Sequence, residues 1–374
     1  MKEYDRAKIE KEIEKQLNEF KKNKKPTILL MGQTGAGKTS AALEYIFNDP
    51  RAKVGVGSKP CTQGITLFPG ENINVYDSEG YEINKEEHYR NLIIDGFLKD
   101  PSKQGEDGIQ AVWYFISGAG KRILPFDKSL IKEVQSMKYK LALIISKIDE
   151  LSEEQLTDLK KAAQDVNVPI FQISTDEEIK DNEQLTDWNK IAKWTYDILP
   201  EIFRDRYIIS LNKELAIKRK MVNEMIKNAA LLAGGVGGAP MPWADGPVLL
   251  GIQGLMIYKI LAAYNMNVSM GTMTTMLGTL GVSQAGRWIC GQLLKLCPAL
   301  GNVANAAVAA TITFAIGKGI ADLCEMQTAQ MLAGKPVTID LESILSSTKF
   351  IDDIMEQVDI HKDNIFDFLK NWVK

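Results

Sequence analysis

Residues 27–47 read "TILLMGQTGAGKTSAALEYIF". The apolar run that ends at Gly32 predicts a buried strand, and the apolar residues spaced through the second half predict a helix that packs back on it. Between them "GQTGAGKT", residues 32–39, satisfies G-x-x-x-x-G-K-[ST] in the strand-turn-helix setting that the pattern requires. Its chemistry is phosphate binding. Gly32, Gly35 and Gly37, with Gln33, Thr34 and Ala36 between them, form a loop whose backbone N–H groups converge on phosphate oxygens. Lys38 reaches the terminal phosphates, Thr39 offers a hydroxyl to Mg²⁺, and Ser40 stands where the helix presents its positive amino terminus.

Outward from this loop, residues 26–200 alternate short apolar runs with amphipathic stretches. The strands predicted are "TILLMG", "ITLFP", "INVYD", "IQAVWYFIS", "KLALIIS" and "PIFQIS", with helix-length segments at 38–48, 85–99, 152–166 and 184–198. Such alternation predicts an α/β fold, a mainly parallel sheet with helices on both faces and a ligand at the carboxyl ends of the strands.

A phosphate loop does not choose between purines. That choice rests on "LIISKIDEL", where Lys147 and Asp149 follow an apolar strand. A carboxylate at Asp149 could accept two hydrogen bonds from the edge of guanine while the lysine stem covers the purine face, and adenine would present the wrong donor pattern. Ser146 stands where an Asn or Thr is usual, and the competing reading of Asp149 is a capping residue at a strand end. "NVYDSEG" supplies Asp77, able to hold Mg²⁺ through water, and Gly80, whose N–H can meet a γ-phosphate. In "GSKPCTQGITLF" Thr62 is the candidate to cap Mg²⁺ in the triphosphate state, with Thr66 as its competitor. Ser174 and Thr175 follow the last strand, where a loop closes over the base. Lys38, Thr62 and Gly80 are the groups expected to act on the terminal phosphate.

The totals narrow the function classes. The 374 residues carry a net charge of -3, so no overall basic field points to nucleic acid. The scattered Cys61, Cys290, Cys297 and Cys324 fit a reducing compartment, and His88 and His361 alone make a histidine metal site or a Ser-His-Asp triad improbable. The start, "MKEYDRAKIEKEIEKQLNEFKKNKK", alternates charges without the apolar run of a leader, which predicts a cytoplasmic protein.

The ends of the chain differ from its middle. Residues 1–25 predict an amphipathic helix with a stripe of Ile9, Ile13, Leu17 and Phe20, followed by a basic run that reads as a solvated linker. Residues 201–374 read as a second, helical domain: a charged helix over 201–228, an apolar Gly- and Ala-rich region over 229–335, and amphipathic helices to the end, with Ile365, Phe368, Leu369 and Trp372 on one face. Residues 296–317 carry no charge and are long enough to span a bilayer, yet their small residues and Asn302 and Asn305 equally suit a buried helical hairpin. Both readings stand: a buried helical hairpin in a cytoplasmic protein, or membrane insertion or peripheral attachment at the inner face of a membrane.

"GQTGAGKTS", "PCTQGIT", "DSEG" and "SKID", in that order, resemble the boxes of the translation-factor-related GTPases, in their Era-like and immunity-related (IRG-like) part. The segment "AGGVGGAPMPWADGPVLLGIQGLMI" is similar to a Pro-x-Pro-x-x-Asp hairpin in the helical domain that follows many bacterial G domains. The resemblance implies a P-loop G domain, bound GTP or GDP with Mg²⁺, a helical domain built from both chain ends, and pairing of G domains into a homodimer. It implies a protein or membrane effector reached through the helical domain. One departure matters. Tyr81 and Glu82 stand where Ras-like enzymes place a glutamine, so intrinsic hydrolysis is expected to be slow, with roughly three to five orders of magnitude left for a supplied arginine. Arg51 is a candidate for that arginine, against the plainer reading of a loop residue.

Overall fold

The structure is a computed structural model and describes residues 6–22, 24–47, 64–105, 107–212, 216–237, 246–266, 302–332, 356, 360–361 and 364–372. In chain order these hold α1 (Arg6–Lys22), β1 (Thr27–Gly32), α2 (Ser40–Ile46), β2 (Ile65–Pro69), β3 (Asn74–Ser78), α3 (Glu86–Arg90, continuing through Asn91–Leu98), β4 (Ala111–Ser117) and α4 (Pro125–Ser136). Then follow β5 (Leu141–Ser146), α5 (Glu153–Ala163), β6 (Ile170–Gln172), α6 (Trp188–Ile198), α7 (Glu201–Ser210), α8 (Ile217–Gly237), α9 (Gly246–Ala263), α10 (Asn302–Leu332) and α11 (Ile365–Trp372). The chain divides into two compact units, Lys24–Ile217 and a second made of Met1–Asn23 with Lys218–Lys374.

The first unit is the α/β fold that the alternation predicts. Its sheet has six strands in the order β2-β3-β1-β4-β5-β6, antiparallel only between β2 and β3. Strands β1, β4 and β5 are buried along their whole length, which is why they read as continuous apolar runs rather than as alternation. Each large side chain such as Trp113, Tyr114 or Phe115 contributes about 1.5–3 kcal/mol by leaving water. From β1 the chain passes to β3 on one side and to β4 on the other. That divergence opens a crevice at the carboxyl end of β1, where the glycine loop lies.

Helix α7 belongs to this unit: Phe203 and Tyr207 are buried, and the Arg206 guanidinium donates to the Glu71 carbonyl and to Asn72 Oδ1. The single charged helix expected over 201–228 is therefore two. Leu211 takes extended backbone (φ −67°, ψ 148°) and ends α7, and α8 begins at Ile217.

The second unit is all-α. In α1 the stripe residues Ile13, Leu17 and Phe20 are buried; Phe20 meets the Tyr258 ring edge-on at 6.2 Å and lies under Lys259 of α9. The glycines of the apolar region have a packing role. A Cβ on Gly317 of α10 would stand 2.8 Å from Ile226 Cγ2 and 2.9 Å from Met256 Sδ, so α8, α9 and α10 meet where no side chain fits. Across the same interface Gln253 Nε2 donates to Thr313 Oγ1 at 3.1 Å, which satisfies two buried polar groups. Helix α11 uses the face read from its sequence: Ile365 and Leu369 are buried, and Phe368 and Trp372 pack edge-on to Phe314. Among the described residues no helix is long and apolar enough to cross a membrane. Residues 267–301, including part of the stretch 296–317, lie outside the described residues.

Candidate nucleotide-binding site

The loop after β1 has the backbone its glycines predict. Gly32, Gly35 and Gly37 take φ of 125°, 73° and 69°, the left-handed side that other residues avoid. At Gly32 space is as decisive as φ, since a Cβ there would stand 2.0 Å from the Phe115 carbonyl oxygen of β4. Thr34, Gly35 and Gly37 are exposed along the loop, Ala36 is buried under it, and Ser40 begins α2 half-buried.

Lys38 is buried, and its Nζ donates to the Gln33 carbonyl at 3.0 Å. Burial lowers its pKa to about 8, against the opposing pull of the Asp77 carboxylate. An ammonium held in so little water is strongly attracted to anionic oxygen. Beside it the Thr39 hydroxyl donates to Asp77 Oδ2 at 2.5 Å, bringing the first turn of α2 to the end of β3. A hydroxyl and a carboxylate so close offer hard oxygen ligands of the kind Mg²⁺ takes, with the rest of its shell left for phosphate and water. The donor set therefore fits Mg²⁺.

Gly80 also lies against the loop. A Cβ on it would stand 2.3 Å from Thr34 Cα, Tyr81 N donates to the Gly32 carbonyl at 3.2 Å, and Thr34 N donates to the Tyr81 carbonyl at 3.1 Å. Thr66 is exposed on β2 opposite Asp77 in the antiparallel register. Thr62 and Arg51 lie outside the described residues.

At the carboxyl ends of β5 and β6 the base-binding candidates converge. Lys147 takes left-handed backbone (φ 54°) that turns the chain, and Asp149 follows it, exposed. The buried Ser174 hydroxyl donates to Asp149 Oδ1 and accepts from Asp176 N at 3.0 Å, so one hydroxyl orients the carboxylate and shapes its own loop. Ser146 donates to the Ile116 carbonyl at 3.2 Å, which ties β5 to β4. Thr175 is exposed, and its carbonyl accepts from the hydroxyl of Tyr45, whose ring stacks on Trp188 at 5.1 Å.

Three contributors are not legible as motifs. Asp127, wholly buried at the start of α4, accepts from Tyr81 Oη at 2.5 Å, Tyr114 Oη at 2.7 Å, Gln33 Nε2 at 3.1 Å and Leu124 N at 2.8 Å. Tyr89 Oη accepts from Gly32 N at 2.8 Å and lies 2.9 Å from Ser78 Oγ. Tyr45 braces the loop at 175. The only local signal for Asp127 is its place in "LPFD", where an aspartate just inside a proline-led helix start suits a capping role.

No family model and no curated protein matches the chain. Among solved structures it is similar to bacterial selenocysteine-specific elongation factor EF-Sec, at 13% identity over 47% of this chain and 28% of that one, with a TM-score of 0.29. It is also similar to translation elongation factor SelB from Methanococcus maripaludis in its apo form, at 13% identity over 46% of this chain and 34% of that one, with a TM-score of 0.31. The chain spans about a third of the length of these proteins. The functional reading therefore rests on the site.

Proposed function

We propose that the protein is a GTPase of low intrinsic rate that acts as a switch, binding GTP and GDP with Mg²⁺. The observation that carries the reading is the presence of two distant pairs at the carboxyl ends of the strands: Thr39 with Asp77 beside the buried Lys38, and Ser174 with Asp149 beside Lys147. The first suits a Mg²⁺-triphosphate, the second a guanine edge, and Gly80 against Thr34 suits a sensor of the γ-phosphate. Lys38 would hold the β- and γ-phosphates, Thr39 and Asp77 the metal, and the metal would supply charge neutralisation at the transferred phosphoryl group.

Tyr81 is 4% exposed and bonded to Asp127, so the position after Gly80 brings no side chain to an attacking water. Slow turnover in the lone protein follows, with acceleration from a second copy paired across the nucleotide faces. A helical unit assembled from both chain ends supports the immunity-related likeness and an effector, protein or membrane surface, reached through that unit. The alternative is a module that holds nucleotide for assembly with negligible turnover. Steady-state phosphate release from GTP separates them: release over many turnovers that is lost in Lys38→Ala supports the switch, and bound nucleotide without release supports the module.

A further inference from the structure

The residue after Gly80 does more than leave a catalytic place unfilled. Its backbone pairs with the phosphate loop through the Tyr81 N to Gly32 O and Thr34 N to Tyr81 O hydrogen bonds, which extends the parallel register by one bridge, Gln33 to Tyr81. Its side chain then enters the core. The ring meets Phe126 edge-on at 4.9 Å, and the hydroxyl donates to Asp127 at 2.5 Å. Gln33 closes the circuit: Nε2 donates to Asp127 at 3.1 Å and to Tyr81 Oη at 3.3 Å, while Oε1 accepts from Ser117 N at 3.0 Å. Burial and the adjoining carboxylate hold the Tyr81 phenol far above its ordinary pKa, so it remains a donor throughout the working range.

We propose that Tyr81, through Asp127 and Gln33, is a positioning residue that holds Gly80 against the phosphate loop and thereby sets the preference for triphosphate over diphosphate. The inference rests on the guanine-nucleotide reading of this site. Its physical basis is leverage. Gly80 has no side chain with which to fix itself, and the backbone segment that must present its N–H to a γ-phosphate gains its orientation from the next residue. The buried hydrogen bond to Asp127 supplies that orientation, and in the core it holds more strongly than the same bond at the surface. The diphosphate makes no contact at that position, so its affinity is independent of the anchor.

Tyr114 provides the internal control. Its hydroxyl donates to the same Asp127 oxygen at 2.7 Å, and it is equally buried, yet it lies on β4 and has no bond to the Gly80 segment. The experiment compares Tyr81→Phe with Tyr114→Phe in the full chain, using fluorescent GDP and a fluorescent non-hydrolysable GTP analogue with Mg²⁺. Tyr81→Phe is expected to weaken the triphosphate analogue about tenfold relative to GDP, with GDP affinity unchanged. Tyr114→Phe is expected to lower the melting temperature comparably and leave the ratio as in the wild type. An unchanged ratio in Tyr81→Phe, or an equal shift in both variants, overturns the inference while leaving the guanine-nucleotide reading intact. A wild type that binds neither guanine nucleotide overturns that reading itself.

Discussion

Thr39 Oγ1 donates to Asp77 Oδ2 across 2.5 Å, joining the end of the phosphate loop to the end of β3. The two oxygens that suit a metal are thus preorganised, and removing either should raise the Mg²⁺ requirement. Thr39→Ala or Asp77→Ala is expected to increase the Mg²⁺ concentration for half-maximal retention of GDP by about tenfold or more, since metal sites lose about that when a ligand or its support goes. Nucleotide dissociation followed over a Mg²⁺ titration checks it, and an unshifted midpoint in both variants removes Mg²⁺ from this pair.

The depressed pKa of Lys38 gives a pH dependence with a definite sign. The folded free protein releases this proton near pH 8, the unfolded chain near 10.5, so between those values the unfolded state binds more protons and folding stability rises with pH. Nucleotide works in the opposite direction. Phosphate favours the ammonium form, so binding above pH 8 takes up a proton, and affinity should fall there by up to about tenfold per pH unit. Equilibrium titrations in buffers of differing ionisation heat read both the affinity and the proton uptake. Affinity flat from about pH 7 to pH 9.5, without uptake, contradicts the assignment of Lys38 to the phosphates.

Base choice should follow the Ser174 to Asp149 contact. Asp149→Asn is expected to exchange a preference for guanine for one for xanthine, because the amide donates where the carboxylate accepted. Ser174→Ala leaves the carboxylate but frees its orientation, with a loss of about 1 kcal/mol, roughly fivefold in guanine nucleotide affinity. Competition binding with GTP, xanthosine triphosphate and ATP decides the matter, and unchanged choice in Asp149→Asn defeats the guanine reading.

How far the sequence carried this site depends on which physical signal each residue left. Strands β1, β4 and β5 announce themselves because burial on both faces demands unbroken apolar runs. Lys38, Thr39 and Asp77 stand out in the sequence because their residue types and local spacing fit a phosphate-loop pattern, and the structure brings the three together. Asp127 is not, since its partners Tyr81, Tyr114 and Gln33 stand 46, 13 and 94 positions away, and a lone acidic residue at a helix start looks like a cap. The break between α7 and α8 was hidden for another reason: the charged pattern continues across it, and only the burial of Phe203 and Tyr207 in the sheet-bearing unit assigns α7 to that unit.

The glycines separate backbone need from packing need. Gly32→Ala meets both a φ of 125° and a carbonyl oxygen at 2.0 Å, neither of which can yield without parting β1 from β4. It is expected to cost more than about 3 kcal/mol and to leave little folded protein. Gly317→Ala meets side-chain atoms of Ile226 and Met256 rather than backbone, and repacking them is expected to cost about 1–3 kcal/mol. Chemical denaturation of both variants tests the order, and a milder effect at Gly32 than at Gly317 would refute it.

The last prediction concerns how hydrolysis is accelerated. Tyr81 is committed to Asp127, Gln33 directs its amide to Asp127 and to Ser117 N, and no other glutamine among the described residues stands in the boxes around the phosphates. On the proposed reading, among the described residues Lys38 and a metal held by Thr39 and Asp77 would be left to stabilise the transferred phosphoryl group, and a missing positive charge or water-orienting group is commonly worth about three to five orders of magnitude. If a second copy supplies it, hydrolysis becomes second order at low concentration and saturates as pairing completes. Turnover per molecule should therefore rise with protein concentration. Phosphate release measured over about a hundredfold range of protein concentration gives the answer. A constant turnover per molecule over that range assigns the acceleration to something other than a second copy of this chain.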